Sequence, residues 1–121
     1  MEEFRIIFYK TAGGKTPVED FLDGLNDKMR AKVLMSIRII KETGYQTRMP
    51  YSRELEDGIF ELRAKVGSDI SRVLYFFIVD RRIVLTNGFV KKTQKTPSEE
   101  IERAKRYRAD YLRREGAEHE G

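Results

Sequence analysis

The chain has 121 residues, 40% of them apolar and 36% charged, with a formal net charge of +4, which suits one domain around one core. It holds no cysteine, so a disulfide framework and a thiolate metal site are both excluded. No apolar run approaches the ~20 residues that span a bilayer, and MEEFRIIFYK lacks the basic start and long apolar stretch of a signal peptide, so a reducing cytoplasm is expected and no membrane partner.

Phe4 to Lys10 alternates loosely among β-favouring residues and predicts a first strand. Residues 11–15 form a loop around Gly13-Gly14, without the flanking spacing of a phosphate-binding fingerprint. Thr16-Pro17-Val18-Glu19 carries three helix-start signals: Thr16 as cap, Pro17 at the first position and Glu19 to complete a capping box. This short helix ends near Leu25. Asn26 or Asp27 caps the next, where Met29, Val33, Ile37 and Ile40 make one apolar stripe and Gly44 stops the helix. Met49-Pro50 breaks the chain, leaving residues 51–55 at most a short strand before the turn Glu56-Asp57-Gly58.

Residues 58–91 read as three strands. A two-residue turn at Asp80-Arg81 pairs Val79 with Arg82, and a turn around Gly67-Ser68-Asp69 pairs Val66 with Ser71. Alternation then places Phe60, Leu62, Ala64, Val66, Val73, Tyr75, Phe77, Val79, Val84, Thr86, Gly88 and Val90 on one face, which needs helices over it. The opposite face has an apolar end (Leu74, Phe76, Ile78, Ile83, Leu85) and a polar, basic end (Glu61, Arg63, Lys65, Arg72, Asn87, Phe89, Lys91). Gly58 and Gly88 read as backbone requirements.

Thr96-Pro97-Ser98-Glu99 repeats the helix start of residues 16–19. Ile101, Ala104, Tyr107, Tyr111 and Leu112 line a last helix, which ends near Arg114. The expected fold is α+β, βααβββ(β)α: an antiparallel twisted sheet with two N-terminal helices on one face and a C-terminal helix. A single domain covers 1–115, and 116–121 form a disordered tail.

Charge is unevenly placed. Residues 91–114 hold nine Lys/Arg against four acids, which points to an anionic partner, nucleic acid first, or to a salt-bridged helix face. In the expected register Lys65 faces Arg72, with Arg63 and Phe89 nearby. Like charges opposed across strands destabilise a sheet unless an anion joins them. Guanidinium groups bind phosphate bidentately, Lys91, Lys92 and Lys95 extend the positive rim, and Phe89 offers a ring for a base. The group suits RNA cleavage by attack of a ribose 2′-OH on the adjacent phosphate. His119 in the tail is the only histidine. The proton carriers are therefore Lys91 or Lys92, or Glu61 as general base, unless arginine acts by charge alone. Salt bridging of Arg63 and Arg72 to Glu61 or Asp69, and core packing of Phe89, are the structural alternatives.

The runs LEDGIFELR, SRVLYFF and IVLTNGFVKKTQKTPSEEIERA resemble the HigB-type, phage-derived branch of the RelE/ParE toxin superfamily, in element order over residues 4–114 and most closely over 55–106. The resemblance implies a type II toxin, a ribosome-dependent mRNA endoribonuclease held inactive in a hetero-oligomer with a helix-turn-helix antitoxin. By motif position it implies catalytic roles for Arg63, Arg72, Lys91 and Lys92, and mRNA contacts from Lys65, Asn87, Phe89 and Lys95. Neither a metal nor another cofactor is expected. The superfamily also contains ParE-like members that inhibit gyrase, so a gyrase-inhibiting or non-catalytic nucleic-acid or protein binder is the alternative.

Overall fold

The computed structural model describes residues 3–47, 51–91 and 95–120, the side chains of Lys91 and of residues 116–120 excepted. The elements are β1 (Arg5–Phe8), α1 (Pro17–Asp23), α2 (Asp27–Thr43), β2 (Ser52–Glu56), β3 (Ile59–Val66), β4 (Asp69–Ile78), β5 (Arg82–Lys91) and α3 (Ser98–Glu120). The strands form one sheet in the order β1-β5-β4-β3-β2. All neighbours are antiparallel except β1 and β5, which run parallel. The first strand therefore lies parallel beside the last, at the edge of the antiparallel sheet that was expected.

Local chemistry sets the helix ends. Pro17 opens α1, but the Thr16 side chain makes no capping hydrogen bond, so the expected capping box is not formed. Asn26 is the cap of α2, its Oδ1 accepting from the Met29 amide at 2.9 Å. Gly44 ends α2 at φ 52° with its N–H on the Ile40 carbonyl. Arg30 clamps the two helices together, donating to the carbonyls of Leu22 and Leu25 at 2.9 and 2.8 Å. α3 runs six residues beyond the expected end near Arg114.

The sheet separates two cores. Val18, Leu22, Met29, Val33, Ile37 and Ile40 from α1 and α2 cover Leu62, Ala64, Val73, Tyr75, Ile83 and Leu85. On the other face Ala104, Tyr107 and Tyr111 of α3 pack with Tyr9, Ile59, Leu74, Phe76 and Val84. Each fully buried aliphatic side chain contributes about 1.5–3 kcal/mol relative to exposure, so the α2 stripe alone anchors that helix.

Register is where structure and sequence part. Val66 pairs with Asp69, which sets Arg63 opposite Arg72 and Lys65 opposite Ile70. The expected pairing of Lys65 with Arg72 is thus two residues out, because the turn is the tight Gly67-Ser68 pair. A shift of two keeps every side chain on its face. The second hairpin closes with Ile78 opposite Arg82, leaving Val79, Asp80 and Arg81 in the connection, with Asp80 and Arg81 at φ 66° and 56°. Thr86 is then a β-bulge, and beyond it the expected pairs hold, Leu74 with Asn87 and Arg72 with Phe89. The bulge exchanges the faces of residues 83–85. Ile83 and Leu85 join the α1/α2 core and Val84 joins the α3 core, the reverse of the expectation. The Thr86 hydroxyl donates to the Leu74 carbonyl at 3.1 Å.

Candidate active site

β3 presents Glu61 and Arg63 two residues apart, hence on one face. Glu61 is paired across the strands with Arg53 of β2, and Arg63 with Arg72 of β4. Glu61 is thus diagonal to Arg72, within reach of a long side chain. Three arginines converge on one carboxylate for reasons of register alone.

The distances bear this out. Arg53 Nε donates to Glu61 Oε2 at 3.0 Å. Arg63 Nε lies 3.9 Å from the same oxygen and Arg72 Nε 3.6 Å from Oε1. Thr96, on the run into α3, donates its hydroxyl to Glu61 Oε1 and accepts from Arg72 Nη1 at 3.4 Å. The side chains of Glu61 and Arg72 have no exposed surface, whereas those of Arg63 and Arg53 are 15% and 39% exposed. Three guanidinium groups against one carboxylate leave the cluster with an excess of two positive charges, and the partly open arginines carry it to the surface. Burial pulls Arg72 below the ordinary arginine range; Glu61 opposes that, and Arg63 and Arg53 add to it. Among the described residues the buried Arg63 Nε has no hydrogen-bond partner, and the 15% of the side chain that is exposed is the part of the guanidinium an incoming acceptor can meet.

The other expected site residues disperse around this cluster. Lys65 is exposed near the far end of β3. Asn87 is buried and donates to the backbone carbonyl and side-chain Oε1 of Glu100 at 3.2 and 3.0 Å, tying β5 to the first turn of α3. Phe89 faces Arg72 across the sheet and packs against the α3 core. Lys91 ends β5 opposite Ile70, its side chain outside the described part. Lys92 also lies outside the described residues. Lys95 is exposed.

Arg53 and Thr96 were missed by sequence reasoning. A plain two-residue turn at Asp57-Gly58 would set Glu54 against Glu61. A register shift between Glu54 and Glu56 brings Arg53 there instead, and nothing in the local sequence announces it. Thr96 read as a helix cap, but α3 takes its first bond from Pro97, whose carbonyl accepts from the Ile101 amide at 3.3 Å. The Thr96 hydroxyl is therefore free for Glu61. Among the described residues no helix is long and apolar enough to cross a membrane.

No curated protein matches the chain. A family described as phage derived protein Gp49-like (DUF891) matches residues 20–109, a span that holds α2, β2–β5 and every residue of the arginine cluster. The chain belongs to the Gp49-like, phage-derived family, a RelE/HigB-type toxin-like family of toxin–antitoxin systems.

Proposed function

We propose that the chain is the toxin of a toxin–antitoxin pair and cleaves translated mRNA on the ribosome, using the arginine cluster as its phosphate site. The observation that carries this reading is the convergence of Arg53, Arg63 and Arg72 on one buried carboxylate, with the Arg53 and Arg63 side chains still partly open to solvent. The ribose 2′-OH attacks the adjacent phosphorus, the bond to the 5′-oxygen breaks, and a 2′,3′-cyclic phosphate remains. Charge builds on the non-bridging oxygens in that step. Arg63 is placed to stabilise it, with Arg53 on its open side. Arg72 and Glu61 act behind them: the enclosed carboxylate fixes the arginine side chains in orientation and so lowers the entropy lost on binding. Glu61 has no exposed surface and both its oxygens are engaged, which favours this organising role over that of general base. Lys91, Lys92 and Lys95 follow the cluster in sequence and serve as the remaining phosphate contacts and proton carriers. The partner that restrains the activity is a helix-turn-helix antitoxin.

Induced expression of the wild type should arrest growth, with new 5′ ends inside translated mRNAs, and co-expressed antitoxin should restore growth. Arg63→Gln should keep the thermal unfolding of the wild type and lower cleavage about 100-fold or more, as loss of one transition-state donor does. Equal toxicity of Arg63→Gln and wild type would remove the site assignment. Growth arrest with intact mRNA and stalled gyrase would select the ParE-like alternative.

A further inference from the structure

The basic C-terminal third draws the eye first, but its charge is largely answered within the fold. Lys105 meets Glu56 at 2.5 Å, Arg108 meets Asp57 at 2.7 Å, and Arg113 and Arg114 meet Asp110 at 2.6 and 2.7 Å. Arg103 meets Glu100 at 2.9 Å. Such pairs leave little net field for a ligand.

The opposite holds between α2 and the β3–β4 hairpin. A cavity of about 450 Å³ is lined by Lys32, Ser36, Tyr51, Arg63, Lys65 and Ile70 together with Ala64. A second, of about 460 Å³, adjoins it and shares Lys32 and Lys65, adding Lys28 and the end of the hairpin at Gly67. Among the described residues no acid lines either cavity. Among the described residues Lys28, Lys32 and Lys65 make no ion pair. Lys28 and Lys32 stand one helical turn apart, a like-charge spacing that destabilises a helix unless an anion sits against it. Tyr51 is 44% exposed and lines the groove where β3 passes Ser36 of α2, whose hydroxyl donates to the Arg63 carbonyl at 3.4 Å. Its ring is free to stack, and its carbonyl is held by the Arg63 amide at 2.9 Å.

We propose that the groove between α2 and β3, lined by Lys28, Lys32, Lys65 and Tyr51, carries a single-stranded RNA backbone up to Arg63, with one base stacked on Tyr51. The proposal rests on the RNA reading above and names where the strand runs. Unpaired lysines along a groove supply phosphate contacts that do not depend on sequence, and an aromatic ring beside an arginine supplies a platform for any base.

The test is binding of a labelled single-stranded RNA of about 12 nucleotides, 2′-O-methylated so that it cannot be cleaved, followed by anisotropy across a salt series. Lys28→Gln/Lys32→Gln should weaken binding about tenfold at low salt and flatten the plot of log affinity against log salt by about 1.4, two single-strand phosphate contacts' worth. Tyr51→Leu should weaken binding about tenfold with the salt slope unchanged. Arg103→Gln/Arg106→Gln, on α3, should bind as the wild type does. Wild-type affinity and slope in the lysine variant would overturn the groove, as would equal competition by polyglutamate. A wild type that binds through these lysines yet leaves mRNA intact in cells upholds the groove and removes the nuclease reading. An mRNA-cleaving protein whose lysine variant binds unchanged does the reverse.

Discussion

Glu61 and Arg72, neither with any side-chain exposure, lie with Oε1 and Nε 3.6 Å apart at the centre of the sheet. The two are not equally supported. Without Arg72, Glu61 would still have Arg53 at 3.0 Å and Thr96. Without Glu61, Arg72 would keep its 3.4 Å contact to Thr96 but would face Arg53 and Arg63 with no carboxylate between the three among the described residues. Removing one member of a buried pair costs about 3–5 kcal/mol. We expect Glu61→Leu to fall in or above that range and Arg72→Leu below it. Urea unfolding of the two variants checks the order; equal losses would mean that Arg53 and Thr96 do not hold Glu61.

Thr96 separates a helix cap from a site contact. A cap accepts aspartate as readily as threonine. An ionised aspartate has no proton to donate to the enclosed Glu61 and would set a second negative charge in direct contact with it, nearer than the Arg72 Nη1 at 3.4 Å. Thr96→Ser should therefore melt near the wild type and Thr96→Val lower by about 1–2 kcal/mol. Thr96→Asp should be the worst of the three. A melting temperature for Thr96→Asp at or above that of the wild type would return Thr96 to the role of cap.

Tyr75 gives the fold an alkaline limit. Burial pushes its hydroxyl up to about 12, the hydrogen bond with Ser52 pulling slightly the other way. The unfolded chain loses this proton near pH 10, while the folded chain keeps it. Above pH 10 the folded state thus binds more protons than the unfolded, and stability falls as pH rises. A difference of about two units corresponds to ~2.7 kcal/mol, lost between pH 10 and 12. Tyr75→Phe should be less steep than wild type over that range in unfolding free energy against pH; identical slopes would place the alkaline transition elsewhere.

Gly88 is needed for space. Its φ is not positive, yet a Cβ there would come within 2.5 Å of Phe21 Cδ2. The backbone requirement expected for Gly88 is therefore a close approach of β5 to α1; Gly58, at φ 73°, is the residue that needs its conformational freedom. Gly88→Ala should lose about 1–3 kcal/mol by overpacking. Phe21→Leu, destabilising by itself, should recover part of that loss in the double variant, since contacting residues are not additive. Strict additivity in a thermal double-mutant cycle would show that the ring is not the obstacle.

Much of this protein was legible in its residues. The α2 stripe, the Asn26 cap, the Gly44 stop and the strands of residues 58–91 follow from local periodicity and turn chemistry. So does the sharing of one face by Glu61, Arg63 and Arg72, which survived a two-residue error in register because side-chain direction repeats every two residues. The faces of Ile83, Val84 and Leu85 did not survive, because Thr86 adds a single residue to β5 and a shift of one reverses the alternation.

The residues by themselves determined that a basic group would gather at one end of a sheet, since alternation and turn positions are local properties of the chain. Only the tertiary structure decided which charges remain available. Bulges cannot be read from propensity, and the one near Leu55 brought Arg53 to Glu61. Ion pairing depends on residues far apart in sequence, and it paired much of the conspicuous charge of α3 while leaving Lys28, Lys32 and Lys65 without an acidic partner among the described residues. Net charge along a sequence counts every cation alike; the field a ligand meets comes from those the fold has not already paired.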